Sequence, residues 1–152
     1  VQFGSVFPRT ADGKIHFFFA ALGDRPYTYR PLGEPSFPLA LLTPASSRMT
    51  NSTGGEWSYP RLELTIHPED AAPRGIRSGD SVRVYNSRGE VHCVARVSDG
   101  TRPGVVVMPK GAWMKSSQNG RTSTALCPPS VDNVGAGACF NDARVEVAKL
   151  DS

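Results

Sequence analysis

Residues 78–97 read SGDSVRVYNSRGEVHCVARV. Val82 and Val84 alternate with Arg83 and Tyr85; after the turn-forming NSRG of Asn86–Gly89, the residues Val91, Cys93, Ala95 and Val97 alternate with His92, Val94 and Arg96. A period of two sends successive side chains to opposite faces of a strand, so the stretch predicts a β-hairpin with one buried face. Just upstream, Leu62 to Ile66 (LELTI) alternates in the same way, and HPEDAAPRG (His67–Gly75) predicts a short helix. Pro68 suits the first helical position, where an N–H would have no partner anyway. Glu69 and Asp70 face the positive end of the helix dipole, Gly75 can close the helix, and Pro73 limits it to about two turns.

Further from this centre, Val105–Met108 and Leu39–Thr43 are continuous apolar runs of buried-strand length, and RVEV (Arg144–Val147) alternates as a last strand. Residues 1–37 are broken by Pro8, Pro26, Pro31 and Pro35, with Pro38 next, which excludes a long helix and predicts an extended lead-in holding one β segment, Lys14–Phe19. Residues 38–152 then form the domain proper. Two polar loops interrupt it: Pro44–Glu56, and PKGAWMKSSQNGRTSTALCPPSVDNVGAGA at 109–138. Loops of that length inside a small domain are usually functional or disordered.

Composition bounds the class. A chain of 152 residues supports one hydrophobic core, and its 15 Gly and 13 Pro demand the frequent turns of a β-rich fold. The net charge of +3 comes from scattered Lys and Arg and gives no nucleic-acid patch. Cys93, Cys127 and Cys139 lack C-x-x-C spacing and read as buried or incidental thiols. His16, His67 and His92 are isolated and read as surface or capping residues, with no metal spacing. No run reaches membrane-span length, and the opening VQFG reads as a piece of a longer or processed chain. GAGACF (Gly135–Phe140) follows a Pro-rich loop and lacks the third Gly of a dinucleotide fingerprint, and no phosphate-loop or nucleophile-elbow motif occurs.

The loops carry the functional signal. Ser46, Ser47, Thr50, Asn51, Ser52 and Thr53, with Arg48 among them, offer several donors with little bulk, as a phosphate or a heterocycle edge requires. Trp113 beside Lys115 suits stacking on a ring next to a phosphate, or anchoring of the loop to the core.

Taken in order, PLALLTPASSRMTNST, the central I-H-P-x-D-A-x-x-x-G-I-x-x-G-D-x-V-x-V-x-N-x-R-G and GRTSTALCPPSVDNVGAGACFNDARVEV resemble the C-terminal dinucleotide-binding domain of the molybdopterin oxidoreductases, the group of the dimethyl sulfoxide reductases, formate dehydrogenases and nitrate reductases. The resemblance runs from Pro38 to Val147, and PRTADGKIHFF looks like the family's lead-in. It implies a mainly β fold with short helices, the double-psi β-barrel of the aspartate decarboxylase type, whose two polar loops meet on one side to cover the pterin and guanosine diphosphate arms of bis-molybdopterin guanine dinucleotide with molybdenum or tungsten. The isolated domain is then expected to bind no cofactor by itself and to be catalytically inactive. Its implied partners are the remaining domains of the same oxidoreductase chain and an iron-sulfur electron-transfer subunit, without nucleic acid or membrane insertion, in the cytoplasm or periplasm of a prokaryote. Thr43, Pro44, Asn51 and Ser52 match the family's first loop, while Arg48 stands where His is common. Gly111, Trp113, Ala125, Leu126, Gly135, Gly137, Phe140 and Asp142 fit the late loop, while Thr124 replaces an Asn and Asn133 an Asp. The implied cofactor contacts are Thr43, Pro44, Ser46, Arg48, Asn51, Ser52, Trp113, Lys115, Thr124, Asn133 and Asp142, with no catalytic or metal-ligating residue. An Asn in place of that Asp gives one donor and one acceptor where a carboxylate gives two acceptors, which bears on guanine reading. The competing expectations are a freestanding double-psi barrel that binds a peptide or protein, and an autoprocessing decarboxylase cleaved at Gly4–Ser5.

Overall fold

In the computed structural model, which describes residues 4–18, 23, 36–47, 51–132 and 135–150, the hairpin forms where the alternation places it. Strands β3 (Ser81–Asn86) and β4 (Gly89–Val97) pair antiparallel, Val82 opposite Cys93 and Val84 opposite Val91. Asn86 holds the turn. Its Oδ1 accepts from the Arg88 N–H at 2.9 Å, and its Nδ2 donates to the carbonyls of Leu126 at 2.9 Å and Arg144 at 3.0 Å.

Around the hairpin, β1 (Leu39–Leu42), β2 (Glu63–Ile66), β5 (Val105–Val107) and β6 (Ala143–Lys149) complete a closed barrel in the order β1-β5-β2-β4-β3-β6. The pairs β1–β5 and β2–β4 are parallel, and the other pairs are antiparallel. This closed six-stranded barrel is the double-psi architecture that the resemblance implies. Closure leaves no strand edge unpaired. Leu39, Leu41, Leu64, Ile66, Val82, Val84, Val91, Val106, Val145 and Val147 fill the interior, each at most 2% exposed. At about 25 cal/mol per Å² of apolar surface removed from water, this core supplies the main stabilising contribution.

The predicted helix is α2 (Pro68–Ala71), continued by a 3₁₀ turn at Ala72–Arg74. The His67 Nδ1 accepts from the Glu69 N–H at 3.2 Å, and Gly75 ends the element at φ 63°, a conformation that favours glycine. Asp70 reaches out of the helix to accept the Gly104 N–H at 2.8 Å, which fixes the turn before β5. Arg74 Nε donates to Glu146 Oε1 at 2.7 Å and ties the 3₁₀ turn to β6. Burial would raise the Glu146 carboxyl, but the Arg74 guanidinium and the Val147 N–H hold it below its ordinary value.

Three expectations need adjustment. Lys14–Phe18 is exposed and forms no strand, because its chain bends through local bonds such as Gly13 N–H to Thr10 O at 3.0 Å and gains no partner strand among the described residues; Phe19 lies outside them. The last strand runs two residues beyond Val147, since Val82 and Arg83 of β3 pair with Lys149 and Ala148. Val94, read as outward-facing, is only 4% exposed. Gln118 bonds the His92 carbonyl at 3.0 Å and Ser81 Oγ at 2.8 Å, so the late loop lies across the outer side of the hairpin around Val94. Cys93 is buried in the core, which pushes its thiol up to about 12.

Strand directions decide where the loops go. Because β1 and β5 run parallel, Leu42 and Val107 end side by side, and the antiparallel partners bring Glu63, Asn86 and Ala143 to the same end. Residues 43–47, 51–62, 87–88, 108–132 and 135–142 therefore crown one end of the barrel, and α2 with residues 98–104 closes the other.

Candidate functional site

At the crowned end the two polar loops are tied to each other. Thr43, 2% exposed, donates both its backbone N–H and its hydroxyl to Asn141 Oδ1, at 3.0 and 3.3 Å. The Lys110 N–H donates to the Pro44 carbonyl at 3.2 Å. Further out, the Trp113 indole N–H donates to the Ser52 carbonyl at 2.6 Å. The contact is so close that a Cβ on Gly55, in the short helix α1 (Gly55–Ser58), would lie 2.6 Å from Trp113 Cδ1 and 2.8 Å from the Gly111 carbonyl. Glycine is needed there for this close approach.

The indole remains 39% exposed, with the Lys115 Nζ 5.1 Å from its ring centre. Trp113, Lys115, Ser52, Ala112, Met114 and Thr122 line a cleft of about 410 Å³. Met114 and Trp57 of α1 stand 69% and 82% exposed at the same end. A flat aromatic face, an ammonium group and small hydroxyls thus open together to solvent. That donor set suits a planar heterocycle joined to an anionic group.

The sequence-derived site residues do not all gather in this cleft. Ser52, Trp113 and Lys115 line it, and Thr124 adjoins it through its hydroxyl, 3.2 Å from that of Thr122. Thr43 lies beneath, engaged by Asn141. Ser46 is half-buried in the first loop, and Asn51 is exposed with φ 54°. Pro44 lines a separate groove of about 670 Å³ on the outer wall, with Tyr59, Arg61, Glu63, Arg96 and Val107. Asp142 lines a small hollow of about 180 Å³ at the hairpin turn, with Phe37, Asn86, Arg88 and Arg144. Arg48 and Asn133 lie outside the described residues.

Asp132 Oδ1 and Oδ2 accept the N–H groups of Gly135 at 2.6 Å and Gly137 at 2.5 Å. GAGACF is thus a loop closed on a neighbouring carboxylate. The Cys127 thiol is raised by burial, partly offset by the neighbouring Thr43 side chain, and donates to the Ser123 carbonyl at 3.2 Å. Among the described residues no group of three or more His, Cys, Asp or Glu side chains is placed to hold a metal ion, and no helix is long and apolar enough to cross a membrane.

Sequence reasoning missed three contributors. Asn141 joins residues 98 positions apart, and no local signal marks it. Gly55 follows Gly54 in a Gly-Gly pair that could have flagged a close approach. The hairpin turn reaches the loop end only through strand direction.

Comparison with known proteins agrees with this architecture. Dimethyl sulfoxide reductase DmsA of Escherichia coli (strain K12) is 32% identical, over 87% of this chain and 18% of that protein. The probable oxidoreductase YoaE of Bacillus subtilis (strain 168) is 31% identical over 93% of this chain and 22% of its own length. Trimethylamine-N-oxide reductase 1 of E. coli (strain K12) is 48% identical over 45% of this chain and 8% of its own length. The chain spans about a fifth or less of these relatives. Among solved structures, acetylene hydratase from Pelobacter acetylenicus shares the fold with a TM-score of 0.68 at 16% identity, covering 82% of this chain and 21% of that one. Residues 39–144 match the family described as Molydopterin dinucleotide binding domain, and the chain belongs to that family.

Proposed function

We propose that this domain covers the pterin and guanosine diphosphate arms of bis-molybdopterin guanine dinucleotide within a larger molybdenum or tungsten oxidoreductase, and that it is not catalytic alone. The observation that carries the proposal is the Trp113 cleft, where the first loop and the late loop are locked together through the Ser52 carbonyl. Trp113 offers the face for a flat ring, Lys115 the charge for a phosphate, and Ser52, Thr122 and Thr124 hydroxyls for polar edges. When bound, the cofactor supplies the redox-active metal; the protein supplies position and polarity. The Thr43–Asn141 tie holds the loops in register beneath the cleft, which lowers the ordering cost of binding.

In this reading residues 1–37 lead in from a preceding domain and residues 38–152 form the cofactor-covering barrel. The other domains of the parent chain, which the length of the relatives indicates, supply the metal ligand and the substrate funnel, and an iron-sulfur subunit delivers electrons. The test uses the parent protein purified from its source: about one molybdenum or tungsten per chain, with guanine nucleotide released on acid treatment, is the expected result. A parent chain free of both metals and of guanine would overturn the proposal and favour a barrel that binds a peptide or protein.

A further inference from the structure

Between Ile66 and Gly89 the chain carries the polar residues His67, Asp70, Asp80, Asn86 and Arg88 among others. Four of these five are used up by the barrel. His67 caps α2, Asp70 holds the Gly104 turn, Asp80 accepts the Arg77 N–H at 2.8 Å and the Lys149 ammonium at 3.0 Å, and Asn86 bonds Leu126 and Arg144. The Arg88 guanidinium has no partner among the described residues. It stands at the hairpin turn, on the crowned end of the barrel.

Arg88 lines a pocket of about 330 Å³ with Gly89, Glu90, Asn119, Arg121 and Ala125. The Arg121 guanidinium also has no partner among the described residues. Glu90 is the one carboxylate in the lining, and it is engaged elsewhere: Oε1 lies 2.9 Å from His92 Nε2 and Oε2 lies 3.5 Å from Arg83 Nη1. Two arginines therefore share one pocket, with its carboxylate engaged by His92 and Arg83.

The pocket is also held in shape. Asn119 Oδ1 accepts the N–H groups of His92 at 3.1 Å and Arg121 at 3.3 Å, while its Nδ2 donates to the Glu90 carbonyl at 3.3 Å. One side chain thus fixes the Arg121 backbone against the hairpin. On the floor, the Ala125 carbonyl sits 3.2 Å from where a Cβ on Gly89 would be, so the late loop packs directly on the hairpin backbone.

From this geometry we infer that Arg88 and Arg121 form a two-guanidinium pocket for a phosphate-type oxyanion. It shares no lining residue with the Trp113 cleft and lies at the same end. The planar guanidinium fork matches pairs of phosphate oxygens. Both side chains are exposed, so binding weakens as salt rises. The pocket goes beyond the cofactor reading, because a free oxyanion fills it as well as a nucleotide diphosphate does.

The test is a heteronuclear NMR titration of the 152-residue chain, whose barrel closes around its own core, with inorganic pyrophosphate and separately with guanosine diphosphate at low salt. Saturable shifts at the Gly89, Asn119 and Arg121 amides are expected. Arg88→Gln and Arg121→Gln should each weaken binding about tenfold, and Arg77→Gln, at the opposite end, should leave it unchanged. Preserved chemical-shift dispersion in the variants shows that the fold survives. With guanosine diphosphate, shifts that extend to the Trp113 indole N–H identify the diphosphate of a nucleotide as the ligand; shifts confined to the pocket identify a free anion, and both outcomes support the site. Non-saturating shifts, or saturable binding unaltered in both variants, overturn it. The pyrophosphate titration involves no dinucleotide, so its failure is distinct from failure of the cofactor proposal.

Discussion

The two ends of the barrel differ in what they leave exposed. At the α2 end, His67, Asp70, Arg74 and Asp80 each meet a partner in the same chain, at distances from 2.7 to 3.2 Å. At the crowned end, Trp57, Trp113 and Met114 stay exposed, and Arg88 and Arg121 face solvent without a partner among the described residues. The first arrangement stabilises the fold. The second leaves interactions to be completed by something outside the chain, which is how a site differs from a scaffold.

The strongest way to break this comparison is in the shared core. Leu64→Ala removes a fully buried side chain on β2 and is expected to cost about 3 kcal/mol in chemical denaturation, affecting both ends alike. Asn86→Ala removes two hydrogen bonds that join the hairpin to Leu126 and β6 and one within the hairpin turn, and is expected to cost about 2 kcal/mol. If Asn86→Ala proved neutral, the hairpin turn would not be the anchor of the crowned end.

Acid sharpens the contrast at the α2 end. The folded state depresses the Glu146 carboxyl below its ordinary value of 4.5, so its contribution is fully present above that pH and is lost as pH falls through the lower folded value. Glu146→Gln should therefore lower stability at neutral pH and flatten the decline below pH 4.5, as read from thermal unfolding across a pH series. A decline of unchanged steepness would remove Glu146 from the acid response.

Smaller effects belong to the crowned end. Asn141→Ala should cost about 1 kcal/mol and speed hydrogen exchange at the Thr43 amide, because that N–H loses its acceptor. Gly55→Ala should cost about 1 kcal/mol, because its Cβ meets the Gly111 carbonyl, and should red-shift the tryptophan fluorescence, since that Cβ also drives the indole off the Ser52 carbonyl. An unmoved spectrum would mean that the loops part without disturbing Trp113.

What was legible in the sequence follows the range of the forces involved. The hairpin and α2 were readable because alternation and capping act within a few residues, as in Val82 against Cys93 or His67 with Glu69. The resemblance carried the barrel, since pairings such as Ala40 with Val105 leave no local mark. Within the site, Trp113, Lys115 and Ser52 were legible as a composition and met in one cleft. Asn141 and Gly55 were not, because their roles exist only once distant segments meet. Val94 was misread because its cover, Gln118, comes from a loop with no periodicity of its own.

The most direct measurement is hydrogen exchange on the parent protein with its cofactor bound and after cofactor removal. Slowed exchange on binding at residues 51–57 and 111–124, with no change at residues 67–80, is the expected pattern. Equal change at both ends, or none at the Trp113 cleft, would contradict the division between a scaffold end and a ligand end.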